Sequence, residues 1–369
     1  MDWIAEVMSF ALCLQNPRGW NKSVRRVDLN RDPSPVIMAQ AIGGENFSHY
    51  WIEGDPDPDV PEPRVRVPLM DELSSIPSNG FAVVSTFSGS GGSSLGYKFA
   101  GFRVRYACEF VPDAADVYSA NFPDVIVDRR DIRDVDAADI LSALSLKRGE
   151  LDVLDGSPPC ASFSSAGARQ KLWNVEKKYS TARKKQRTDD LFEEYIRLVA
   201  GLYPKTFVAE NVEGFIRGKA KGAFLKTIRA LRDLGYIVRA RLLDAADFDV
   251  PQKRPRIFLI GARADLGIVP DFPKPRPYRV PVASALRGLD IRIPDDLIVD
   301  RFSGSKRKLS IDEVKRIGSF PDDFILSGSY AKQWERIGRA VPPLFMRAVA
   351  TALRDHVLIP ARDREGAFA

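Results

Sequence analysis

From Phe81 onward, short apolar and β-branched runs alternate with stretches whose apolar residues recur at helical spacing. Phe81–Phe87, Val104–Phe110, Leu151–Asp155, Thr206–Glu210, Ile237–Leu243 and Arg256–Gly261 read as strands, with helices predicted over 111–120, 136–145, 190–202 and 222–234. Repeated strand–helix alternation predicts an α/β fold, a doubly wound and mostly parallel sheet covered by helices on both faces. Residues 1–79 lack that rhythm and contain Asp55–Pro63, a Pro/acidic linker, since proline breaks both helix and central strand. The rhythm fades again over 268–306, where six prolines fall (Pro270, Pro273, Pro275, Pro277, Pro281 and Pro294), and returns as helix from Ser310. The expected organisation is therefore an extension over 1–79, an α/β domain over 80–267, a short irregular region over 268–306 and a helical segment over 307–369.

Composition narrows the class. A chain of 369 residues with 44% hydrophobic and 28% charged residues has the make-up of a soluble globular protein, which excludes collagen, coiled coil and wholesale disorder. No apolar run reaches the ~18 residues of a membrane span, and Trp3–Leu14 carries Glu6 and lacks a basic leader, so it does not read as a signal peptide. Three cysteines (Cys13, Cys108, Cys160) cannot build a disulfide framework and two histidines leave little for a metal site, so a reducing cytoplasm and no metal are expected. The net charge of +6 is concentrated. Residues 165–188 carry Arg169, Lys171, Lys177, Lys178, Arg183, Lys184, Lys185 and Arg187 against Glu176 alone, a block suited either to a polyanion or to a solvated surface loop.

Candidate chemistry gathers at strand ends. The first strand runs into Phe87-Ser88-Gly89-Ser90-Gly91-Gly92, small residues that let the backbone approach a ligand before a helix N-terminus, although the spacing is not G-x-G-x-x-G. Glu109 ends the second strand some 20 residues on, placed to accept from ribose hydroxyls, and Asp131, after a further short strand that makes Leu151–Asp155 the fourth, is placed to meet an adenine amino group. Together they describe a site for an adenosine-containing cofactor. The fourth strand leads into Gly156-Ser157-Pro158-Pro159-Cys160, where a rigid loop beside the basic block favours a reactive thiolate. Cys108, inside an apolar strand, and Cys13 read as structural. Glu210, before Asn211 and Val212, ends the next strand at the same sheet edge, as a general acid or a partner for a heterocycle. Arg254 and Arg256, at period two, are expected to aim both guanidiniums to one face, toward a phosphate or ring carbonyl.

This ordered set resembles the DNA (cytosine-5) methyltransferase family over roughly two-thirds of the chain. The resemblance extends to Arg307-Lys308-Leu309-Ser310, Ser319-Phe320-Pro321-Asp322 and Ile337–Pro343 near the C-terminus. It implies the S-adenosylmethionine-dependent methyltransferase form of the doubly wound sheet, completed by the 307–369 segment. Phe87, Gly89 and Gly92 would line the cofactor, Glu109 would hold its ribose, Asp131 its adenine, and Pro159 and Leu191 would pack nearby. Cys160 would add to carbon 6 of a flipped-out cytosine, Glu210 would stabilise charge at ring N3, and Arg256, with Arg254, would hold the base or its phosphate. The 165–188 block, with Lys171, Lys177, Lys178, Arg183, Lys184, Lys185 and Arg187, would close on double-stranded DNA and contact phosphates. The same resemblance implies a monomeric bacterial or phage enzyme, with a companion restriction endonuclease as its setting.

Three departures from the family pattern stand out. Arg339 occupies the place of an Asn that normally contacts the cofactor; the 268–306 region is short for target recognition; and residues 1–79 lie outside the catalytic pattern, although Asp28–Ile37 looks like a stretch that relatives carry before the Arg-Lys-Leu-Ser motif. A tRNA-directed cytosine-5 methyltransferase and a catalytically weak DNA-binding paralogue remain open as alternatives. A two-cysteine RNA methyltransferase would need a second cysteine near Glu210, where none occurs, and a nicotinamide dehydrogenase is disfavoured by the glycine spacing.

Overall fold

The computed structural model describes residues 66–159, 191–218, 220–289 and 307–367, together with the two-residue strands Trp51–Ile52, Lys177–Lys178 and Lys185–Gln186. Seven strands form the central sheet: β1 (Ala82–Thr86), β2 (Arg103–Cys108), β3 (Ile126–Asp128), β4 (Val153–Gly156), β5 (Thr206–Val212), β6 (Tyr236–Asp244) and β7 (Pro255–Arg263). Their order is β3-β2-β1-β4-β5-β7-β6. The first five are mutually parallel, and β7 runs antiparallel to both β5 and β6. The order reverses between β1 and β4, so the crevice beyond their carboxyl ends is the place where an open α/β sheet binds ligands.

Strand sequence explains the layering. Alternate residues face opposite sides of a sheet. Val83, Val153, Val208, Phe258 and Ile260 accordingly enter one core, while Val84, Leu154, Phe207, Ala209, Ile257 and Leu259 enter the other. The first core is roofed by α1 (Gly92–Phe99), α2 (Pro112–Asn121) and the C-terminal α9 (Pro343–Leu353). The second is covered by α3 (Ala137–Leu144), α4 (Leu191–Leu202) and α5 (Ala220–Asp233). The predicted α/β class and mostly parallel sheet are what the chain forms, with each predicted strand and helix in place.

The first and second boundaries differ from the sequence reading. Residues 66–79 belong to the body of the domain: Val67, Met70, Leu73 and Ile76 pack on the first core, and the Met70 amide donates to Asp323. In the irregular region, Ile268, Phe272 and Leu286 are core residues, and α6 (Val282–Leu286) forms within it. Arg276 and Arg279 pair with Asp249 and Asp247 in the turn after β6. Residues 290–306 lie outside the described residues. The C-terminal segment is helical as expected, with α7 (Ile311–Ile317), α8 (Tyr330–Arg339), α9 and α10 (Ile359–Ala367). A Ser310–Glu313 capping box opens α7, each side chain bonding the other's backbone amide. No helix among the described residues is long and apolar enough to cross a membrane.

Candidate active site

The glycine loop between β1 and α1 is tightly determined. Phe87 and Gly89 both take left-handed backbone conformations, with φ of 53° and 56°. A Cβ on Gly89 would meet nothing within 4 Å, so the loop there borders open space. Gly92 has the opposite constraint, because a Cβ would come within 2.3 Å of the Val341 carbonyl. The segment before α9 therefore lies directly against the first turn of α1, which brings the C-terminal motif to the glycine loop.

Glu109 holds this loop from below. Its two carboxylate oxygens accept from the Gly89 and Val111 amides, each at 2.8 Å. Burial pushes the carboxyl up from its ordinary range, an effect offset by those two amides and by Arg336 and Arg339 of α8. Each oxygen keeps a free lone pair for a further donor, as a ribose hydroxyl would be. Asp131 caps the turn after β3, accepting from the amide and guanidinium of Arg133. Ser90 Oγ, inside the loop, is buried and has no hydrogen-bond partner among the described residues. An open face over Gly89, a loop-bound carboxylate and an orphaned hydroxyl together fit a polar, adenosine-type cofactor.

The opposite wall is built by β4, β5 and β7. Asn211 Nδ2 donates to the Pro158 carbonyl at 3.0 Å, tying the end of β5 to the chain two residues before Cys160. Pro158 is buried and Pro159 half-buried; Cys160 itself lies outside the described residues. Glu210 lies within β5, two residues before its carboxyl end and not at the strand's last position, and pairs with Arg256 Nε at 2.8 Å. Leu191 opens α4 and is buried in the second core.

Arg254 departs from the period-two reading. Its guanidinium donates to the Gly338 and Ala340 carbonyls at 2.9 Å, and its amide bonds Asp244 at 2.7 Å. It fastens the start of β7 to the turn between α8 and α9, and the structure does not bring it to Glu210 as it does Arg256. The physical reason is that strand pairing starts at Pro255, so alternation does not reach back to Arg254. Arg339, at the departure noted in the last motif, pairs with Glu335 on its own helix. Cys108 is buried in β2 and burial pushes its thiol up, the behaviour of a structural cysteine.

Of the basic block, only two short strands are described, paired antiparallel with Lys177 opposite Gln186 and Lys178 opposite Lys185. Lys171, Arg183, Lys184 and Arg187 lie outside the described residues. Sequence reasoning missed Asp155, a carboxylate buried at the end of the apolar strand β4, where it contacts hydroxyls of β1 and α1. The signal was present, because an acidic residue in a strand buried on both faces needs partners.

A switch-point crevice between a glycine loop and a Pro-Pro loop, with an acid–arginine pair beside it, defines a methyltransferase-type α/β protein. The chain belongs to the C-5 cytosine-specific DNA methylase family, whose model matches residues 81–295 and 298–355. Membership carries the family's activity, methylation of DNA cytosine at carbon 5. The chain is 30% identical over 302 residues to the Type II methyltransferase M.NgoPII of Neisseria gonorrhoeae, covering 81% of this chain and 80% of that one. It is 29% identical over 332 residues to the Type II methyltransferase M1.HphI of Haemophilus parahaemolyticus, covering 73% and 86%. Among solved structures, a DNA modification methyltransferase encoded within an E. coli prophage superposes with a TM-score of 0.63 at 21% identity, covering 75% of this chain and 99% of that one. The S. pombe Dnmt2 methyltransferase gives 0.54 at 15% identity, covering 74% and 98%. These two likenesses concern the fold.

Proposed function

We propose that this chain transfers a methyl group from S-adenosylmethionine to carbon 5 of a flipped-out cytosine in double-stranded DNA, through a covalent Cys160 adduct. The observation that carries the reading is the wall made by Glu210, Arg256 and the Asn211–Pro158 bond, set across the crevice from the glycine loop. Cys160 Sγ, as thiolate, bonds to carbon 6 and pushes an electron pair into the ring. Glu210 meets that charge at N3 as acid or hydrogen-bond donor, and Arg256 orients the Glu210 carboxyl. Carbon 5, now electron-rich, takes the methyl group; its proton then leaves to solvent as the Cys160 bond breaks and the ring is restored. S-adenosylmethionine would supply the electrophilic methyl when bound, its sulfonium sulfur keeping the bonding pair and departing as the thioether S-adenosylhomocysteine. Phe87, Gly89, Gly92, Glu109, Asp131, Pro159 and Leu191 would hold it.

Carbon 5 of a cytosine stacked inside a duplex is out of reach of active-site side chains, which is why the reading includes base flipping. The 165–188 block supplies the charge for a salt-sensitive DNA complex. The enzyme would act as a cytoplasmic monomer beside a companion restriction endonuclease. The test is incubation of the full chain with labelled S-adenosylmethionine and duplex DNA, followed by nucleoside analysis. Label in 5-methylcytosine supports the reading; label only at another base or in RNA overturns it.

A further inference from the structure

Beneath the crevice lies a polar joint that the reaction above does not use. Asp155, on β4, is almost completely buried. Its Oδ2 accepts from Ser93 Oγ at 2.7 Å and from Ser85 Oγ at 3.2 Å. Ser85 lies on β1, two residues before the glycine loop, and Ser93 on the first turn of α1, directly after it. The Asp155 carbonyl accepts from Thr86 Oγ1 at 2.9 Å, and the β1–β4 register places Ser85 opposite Asp155. One side chain thus grips the strand entering the cofactor loop and the helix leaving it, and fixes both to the strand that continues into Pro158 and Pro159.

We propose that Asp155 is a positioning residue for methyl transfer, setting the cofactor loop against β4 through its shared bonds to Ser85 and Ser93. A carboxylate is a costly choice for this joint, because no lysine or arginine pairs with it among the described residues and burial of an unpaired charge is strongly unfavourable. Serines could have met on a neutral acceptor. The groups facing Asp155 are Tyr97 from α1, Tyr118 from α2, Tyr195 from α4 and Glu210 from β5, all neutral or anionic. Its Oδ1 is buried without a hydrogen-bond partner. Burial pushes the carboxyl up to about 7, opposed by the hydroxyls of Ser93, Ser85 and Tyr97 and helped by Glu210. The joint is therefore neutral in mildly acid solution and gains a charge, repelled by Glu210, as pH rises past neutrality.

This inference rests on reading the glycine loop as the S-adenosylmethionine site, and the test separates the two. Binding of S-adenosylmethionine to the full chain is measured by calorimetry from about pH 6 to pH 8, on either side of the carboxyl's titration. The same measurement is made for Asp155→Ala, Asp155→Asn and Ser93→Ala, with kcat and KM alongside. The native protein should bind more weakly as pH rises. Asp155→Ala and Ser93→Ala should raise Kd and KM by roughly tenfold, the scale of one or two hydrogen bonds to a buried group. Asp155→Asn, which keeps an acceptor and cannot ionise, should restore affinity with a flat pH profile, a result that simple loss of folding would not produce. Should the native protein not bind S-adenosylmethionine, both readings are overturned. Should it bind while Asp155→Ala binds equally well, or Asp155→Asn keep the native pH profile, the positioning role alone is overturned.

Discussion

Arg256 on β7 places its Nε 2.8 Å from Oε1 of Glu210 on the neighbouring antiparallel β5, and both side chains are largely withdrawn from water. The pair works in both directions: the guanidinium orients the carboxyl, and the carboxyl compensates a cation at the sheet edge. Glu210→Gln should keep the fold and lower kcat by roughly 10²–10⁴, the usual yield of a general acid. Arg256→Leu should cost stability as well, toward the lower end of the ~3–5 kcal/mol for breaking a buried pair, because Arg256 retains some solvent contact. Turnover and urea unfolding of both variants check this. Unchanged turnover in Glu210→Gln would assign ring activation elsewhere.

Cys160→Ala should abolish methyl transfer and leave S-adenosylmethionine binding near native. A duplex containing 5-fluorocytosine should trap the native protein covalently, because fluorine cannot leave as the carbon 5 proton does. The check is a shifted band on denaturing gels that is absent for the variant. Methylation persisting in Cys160→Ala would remove this thiol from the reaction.

The strand ends that border the crevice were legible in the sequence because they are written in consecutive residues, such as Pro158-Pro159 after β4 and Glu210-Asn211 in β5. Strand alternation was equally legible, since Val83 and Val84 reach different cores just as period two requires. What escaped was decided by where pairing begins or by contacts distant in sequence. Arg254 precedes the first paired residue of β7, so its guanidinium is free to reach Gly338 and Ala340. Asp155 gains its meaning only when β1 and α1 are folded against β4. Residues 66–79 carried a readable signal that strand and α-helix templates pass over: Val67, Met70, Leu73 and Ile76 are spaced by three, the period of the 3-10 turn formed at Asp71–Ser75.

Stability should fall with pH across the titration of Asp155. Its folded pKa of about 7 lies above the unfolded value near ~3.9. Between those values the native state holds more protons than the unfolded state, so its contribution is complete below the unfolded value and is lost as pH rises through the folded one. Asp155→Asn should therefore gain in Tm on the native protein at pH 8 relative to pH 5. Differential scanning calorimetry at the two pH values checks the sign. A native Tm advantage that grows with pH would reverse it.

Reversal of Lys184 and Lys185 to Glu should weaken DNA binding and shallow its dependence on salt, because phosphate contacts release counterions. The flanking bases of the methylated cytosine should not change, since phosphate contacts carry no sequence information directly. Titration of a fluorescent duplex at several salt concentrations gives the slope. Undiminished affinity at low salt would make the 165–188 block a solvated surface.

Removal of the N-terminal extension should separate target choice from catalysis. The 268–306 region leaves little chain for base readout once Ile268, Phe272 and Leu286 are committed to the core, and base-specific contacts need side chains on a scaffold that reaches a groove. The extension carries Arg18, Lys22, Arg25, Arg26 and Arg31 with Trp20, Tyr50 and Trp51. Its Trp51–Ile52 strand pairs antiparallel with Arg307–Lys308, directly after residues 268–306. A protein starting at Arg66 should keep its Tm and bind S-adenosylmethionine, yet lose sequence preference, specific DNA affinity or both. A protein starting at Asn79 should also be less stable by a few kcal/mol, given ~1.5–3 kcal/mol per fully buried apolar side chain and the partial burial of Val67, Met70, Leu73 and Ile76. Bisulfite sequencing of DNA methylated by each protein, with calorimetry alongside, resolves the two effects. If the Arg66 protein methylates the native sites at the native rate, recognition lies wholly after Arg256 and the extension has no part in it.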